Sequence, residues 1–152
     1  MDALSTAEVL SLFAVGGVVG LVATLWMDFV MARLPEGKAP PLVAAGVLTG
    51  HPPRNAPRTL ATVIHYLAGT IAGAVFVWFL LAGHVFFDDP IATVAPIVGM
   101  YALMVGVFYG VLTQSEVDRR EVSKIRRGWA ISAAAYLAVL AVLVILSVEV
   151  LF

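Results

Sequence analysis

Asp28 interrupts an otherwise apolar run in GVVGLVATLWMDFVMARLPEG, residues 17–37, five residues before the first arginine, Arg33. A carboxylate in hydrocarbon costs a few kcal/mol on insertion scales unless it finds a partner or reaches the interface. Gly16, Gly20, Thr24 and Asp28 recur every four residues, so on a helix they share one side. The carboxylate therefore faces protein, in the direction of glycines that allow close helix approach. Its candidate partner is His65, seven residues inside Arg58. At about 1.5 Å per residue the two side chains lie at depths within roughly 3 Å of each other, if both arginines mark the interface. His65 also shares a helix face with Gly69 and Gly73. Two chemistries fit such a pair: hydrogen bonding that fixes the register of two helices, or titration in a proton or cation pathway.

Further polar side chains fall near the same level: Thr24, Thr62, Tyr66, Tyr109, Thr113, Gln114, Ser132 and Tyr136. They predict a hydrogen-bonded layer inside the bundle. Other chemistry is not encoded. There is no cysteine, and no nucleophile–base set, phosphate loop or metal-ligand cluster is visible, so no enzyme activity, metal or cofactor is expected. His65 as a haem ligand would need a second subunit, because His84 lies about 28 Å further along the same helix. His84 and Asp88, four apart near a helix end, read as a polar loop.

The elements that position these residues follow from hydropathy. The chain is 61% hydrophobic and 12% charged over 152 residues, outside the range of soluble domains. Uncharged stretches run from Val9 to Met27, Thr59 to Phe87, Pro90 to Ser115 and Gly128 to Val148. Each covers the roughly 30 Å hydrocarbon core as a helix. The runs are continuous rather than alternating, which excludes a transmembrane barrel. The expectation is an all-α integral membrane four-helix bundle. It forms a single domain over 1–152, with spans of about 8–33, 58–84, 90–114 and 127–149 and a Pro-rich loop at 34–57. The N-terminus lacks the basic region of a cleaved signal peptide, so the first span is expected to be retained. LVAAGVLTG, within the Pro-rich loop, is too short to cross and is expected to lie at the interface or dip into the bundle.

All nine basic residues fall in two loops: Arg33, Lys38, Arg54 and Arg58 after the first span, and Arg119, Arg120, Lys124, Arg126 and Arg127 after the third. The opposite side carries only acids: Asp2, Glu8, Asp88, Asp89 and Glu149. The positive-inside rule places both termini outside and both basic loops in the cytoplasm. Trp26 and Trp129 are expected to anchor the inner interface and Trp78, Phe86 and Phe87 the outer one. Asp89 is expected to cap the third span with Pro90 in its first turn. Gly16 and Gly20, Gly69 and Gly73, and Gly106 and Gly110 are four-residue pairs suited to close helix packing. Val15, Gly16, Gly20 and Asp28 recur ninety residues on as Val105, Gly106, Gly110 and Asp118, an echo read as coincidence in a chain of few residue types.

At ATLWMDFVMARLPEG together with VIHYLAGTIAG, the sequence resembles a group of small four-span prokaryotic membrane proteins known as a domain of unknown function. The A-T-x-x-M-D stretch, Ala23 to Asp28, is similar to that of YagU-type inner-membrane proteins. The resemblance implies a four-helix bundle in a prokaryotic cytoplasmic membrane and implies no activity. The small multidrug transporters also carry an acid in the first of four spans, but Asp28 lies near one end of its span and the Pro-rich loop is foreign to that compact design. The expected function is a non-enzymatic accessory, assembly or structural bundle, with a small channel or proton-coupled transporter using Asp28 and His65 as the alternative. Expected partners are anionic lipid headgroups at the basic loops and further copies or a larger membrane complex, with no role for nucleic acid.

Overall fold

The computed structural model describes residues 5–151, without the side chains of 149–151. Asp2 and the side chain of Glu149, two of the acids that set the charge asymmetry, lie outside what is described. The described chain is all-α: α1 (Thr6–Met31), α2 (Ala39–Thr49), a 3₁₀ turn at Pro53–Asn55, α3 (Arg58–Phe86), α4 (Ile91–Thr113) and α5 (Arg119–Leu151). Four of these helices, α1, α3, α4 and α5, are long and apolar enough to cross a membrane. The first is capped by Ser5, whose Oγ accepts from the Glu8 amide while Glu8 Oε2 accepts from the Ser5 amide at 2.7 Å. This Ser-x-x-Glu pairing satisfies amides that the helix cannot.

Glycine decides which helices meet. A Cβ on Gly20 would stand 2.5 Å from the Gly69 carbonyl oxygen, and one on Gly16 would stand 2.7 Å from that of Gly73. The α1 and α3 backbones thus touch along the two glycine rows, with Thr24 pressed against Gly69. The close approach maximises van der Waals contact, which drives association where lipid tails are as apolar as leucine. On the other side of α1, α5 contributes Ala133, Tyr136, Leu137, Leu140, Ala141 and Val144, all buried at helical spacing. The α5 helix begins at Arg119, two turns before the 127–149 span read from hydropathy, because its basic first turns are helical too.

The third span departs from expectation at its start. Pro90 occupies the N-cap position itself, no side chain caps the helix, and the Ala92 amide donates to the Asp88 carbonyl. Asp89 is therefore not the cap. Pro96 lacks the amide that would bond the Ala92 carbonyl four residues back. Gly83 of α3 approaches that carbonyl and the proline ring, since a Cβ there would meet Ala92 O at 2.6 Å and Pro96 Cγ at 2.8 Å. This contact draws α3 and α4 together at the acidic end.

At the basic end they are held apart by α2. This short helix starts with Pro40 and Pro41 in its first turn and closes at Gly50 in the left-handed conformation (φ 67°). Val43 is fully buried among Phe108, Leu112 and Ile125, and Ala45 among Ala56 and Ala61. The LVAAGVLTG segment is thus a helix wedged into the bundle, contacting α3, α4 and α5.

Candidate functional site

Asp28 sits one turn before the end of α1, and its backbone carbonyl receives the Ala32 amide. Its carboxylate reaches α3. Oδ1 lies 2.8 Å from His65 Nε2, and Oδ2 accepts from the Tyr66 hydroxyl at 2.6 Å. His65 and Tyr66 rings meet edge-on at 5.5 Å. The glycine seam produces this geometry, since Thr24 packs against Gly69 one turn deeper on both helices and leaves Asp28 and His65 opposite one another. His65 is 9% exposed and Asp28 39%, so the cluster lies at the margin of the α1–α3 contact rather than in the centre of the bundle. Arg33 takes no part: its guanidinium stacks on Phe29 at 3.3 Å and donates to the Phe29 carbonyl.

The remaining polar residues do not form one layer. Thr24 is fully buried and donates to Gly20 O at 2.8 Å. Tyr136 is fully buried and crosses from α5 to donate to Gly69 O at 2.6 Å. Ser132, also buried, donates to Gly128 O. Thr62 instead is exposed and turns back to Arg58 O. Thr113 and Gln114 are exposed and both donate to Gly110 O. Tyr109 is half-buried beneath the Arg126 guanidinium, 4.3 Å away. Thr62, Thr113, Gln114 and Tyr109 share the depth of Asp28 by residue count but point to other sides of their helices.

Gly106 and Gly110 differ from the other glycine rows, because a Cβ at either meets nothing within 4 Å. The pair lies on an outward face of α4. The echo of Asp28 at Asp118 is likewise one of sequence alone: Asp118 precedes α5, where its Oδ1 accepts from the Arg120 amide. Trp129, expected at the inner interface, is turned inward on its helix. Its ring stacks on Phe108 at 4.6 Å and its Nε1 donates to Met104 O at 3.1 Å, tying α5 to α4. Trp26 and Trp78 do face outward.

Two features were not read from the sequence. The Ser5 cap carries a spacing that identifies it, Ser-x-x-Glu ahead of an apolar run. Tyr66 as the second ligand of Asp28 has a weaker signal, adjacency to His65. His84 lies 3.9 Å from Asp89 rather than pairing with Asp88, and both groups are exposed. Among the described residues no group of three or more His, Asp or Glu side chains converges. No family model, curated protein or solved structure matches the chain.

Proposed function

We propose that the protein is a non-enzymatic membrane bundle with an accessory or assembly role, in which the Asp28–His65–Tyr66 cluster clamps α1 to α3. The observation that carries this reading is that the buried polar groups are used up inside the bundle. Both Asp28 oxygens are engaged by α3, Thr24, Ser132 and Tyr136 bond backbone carbonyls, and among the described residues no buried side-chain polar atom lacks a partner. Towards the acidic end the interior is filled by Leu12, Phe76, Val77, Leu140 and Val144, an apolar stretch that offers a permeating ion no ligands. With the basic end in the cytoplasm, its nine cations attract anionic headgroups, each worth about 1 kcal/mol near the surface.

Purified protein in liposomes with an entrapped pH dye tests the reading. The accessory role predicts proton flux no faster than in protein-free vesicles, and recovery of the protein with other membrane subunits or further copies in mild detergent. One observation favours transport instead, the 39% exposure of the Asp28 side chain. Flux that disappears in a folded Asp28→Asn variant would establish that alternative.

A further inference from the structure

Between α3 and α4, on the basic side of their contact at Gly83 and Pro96, lies a cavity of about 480 Å³. Its walls are Ile64 to Val75 on α3 and Met100 to Val111 on α4, with Pro40, Pro41 and Ala44 of α2 at the basic end. Ile71, Leu103 and Val107 line it and are at the same time 53%, 42% and 59% exposed, so the cavity is a slot open sideways to the bundle's surroundings. The twelve residues of each wall, eleven helical steps, correspond to about 16 Å of helix, close to half of a roughly 30 Å hydrocarbon core. The slot is thus as deep as one leaflet.

Its chemistry selects the occupant. The polar side chains on its lining are Thr24, His65, Trp129 and Tyr136, and each already has a protein partner: Gly20 O, Asp28, Met104 O and Gly69 O. A stable water needs two to four polar partners, and these four groups each already commit a hydrogen bond to the protein. Apart from those four the lining side chains are aliphatic or aromatic, which suits a hydrocarbon chain in contact at about 4 Å.

We infer that the slot between α3 and α4 holds one hydrocarbon chain of a lipid from the leaflet at the basic end, seated against Ala68, Ala72 and Trp129. The binding is apolar and lateral, and α2 keeps the slot open by wedging the helices apart. The inference rests on the membrane reading of the four long helices and not on the accessory role.

Trp129 reports occupancy. In a Trp26→Phe/Trp78→Phe background it is the remaining tryptophan, and the protein is reconstituted in phosphatidylcholine vesicles with bromine near the middle of one acyl chain. Strong quenching relative to unbrominated vesicles is expected, cut by half or more when Ala72→Phe fills the slot. Ala68→Leu, at the lip, serves if Ala72→Phe does not fold. Absence of quenching, or quenching that neither substitution changes, would overturn the proposal. So would quenching by aqueous iodide in place of bromolipid, which means a wet slot. Cross-linking of Leu103→Cys between copies without bromolipid quenching would assign the slot to a second chain and equally defeat it. A protein that does not enter vesicles at all would instead refute the membrane reading.

Discussion

At the scale of single residues, the chemistry of Asp28 is decided by geometry rather than by its pairing with histidine alone. One oxygen takes an imidazole nitrogen and the other a phenol, so the carboxylate is a two-pronged acceptor for adjacent residues of α3. Asp28→Asn retains an acceptor oxygen for Tyr66, and its amide can donate to the other tautomer of His65. Asp28→Leu leaves both α3 groups without a partner, at a cost of about 1–3 kcal/mol where they remain buried. Unfolding in a denaturing detergent titration should therefore show Asp28→Leu destabilised by more than Asp28→Asn. Tyr66→Phe, which removes one prong, should fall between them, by about 0.6 kcal/mol if it follows the usual worth of hydrogen bonds between membrane helices. Equal stability of all three variants would mean that the cluster does not clamp the helices.

Glycine spacing at the scale of helices predicts close packing but not where it happens. The three four-residue pairs are alike in sequence, yet Gly16, Gly20, Gly69 and Gly73 lie at backbone contacts while Gly106 and Gly110 meet open space. Gly20→Leu and Gly73→Leu should each destabilise the bundle by more than the ~1–3 kcal/mol typical of overpacking, since the obstructing atoms are backbone. Gly106→Leu and Gly110→Leu should be neutral or stabilising, because leucine is the better helix former by about 1 kcal/mol. Thermal denaturation in detergent separates the two groups. Leu140→Gly should destabilise the bundle as well, since Leu140 is fully buried and its loss would open a cavity. The wedge helix offers another test. Gly50 closes it at positive φ, and Gly50→Ala should cost about 1 kcal/mol, read as earlier proteolysis of the loop between α2 and α3.

For the whole molecule, the even number of long helices places the start of α1 and the end of α5 at one end and the two basic segments at the other. The nine-to-zero distribution of cations predicts that the basic end faces the cytoplasm. Ser5 and Ser123 are exposed at opposite ends, and the chain has no native cysteine to interfere. An impermeant thiol reagent on intact cells should label Ser5→Cys and spare Ser123→Cys. The reverse pattern would invert the topology while leaving the fold and the polar cluster as described.

The sequence by itself determined the all-α class and the four long helices, because continuous apolar runs bounded by charges and prolines leave the backbone few other ways to satisfy its hydrogen bonds in lipid. It also determined that Asp28 and His65 stand at matching depth on glycine-bearing faces, since helical period and rise are fixed by backbone geometry. Depth and period say nothing of which faces meet. Tertiary packing alone decided that Gly106 and Gly110 turn outward, that Thr62, Thr113 and Gln114 leave the expected layer, that Trp129 packs on Phe108, and that Tyr66 joins His65 on Asp28. The slot between α3 and α4 depends likewise on tertiary structure. It exists because Gly83 and Pro96 join two helices at one end while Pro40, Pro41 and Val43 part them at the other, and these contacts lie far apart in the chain.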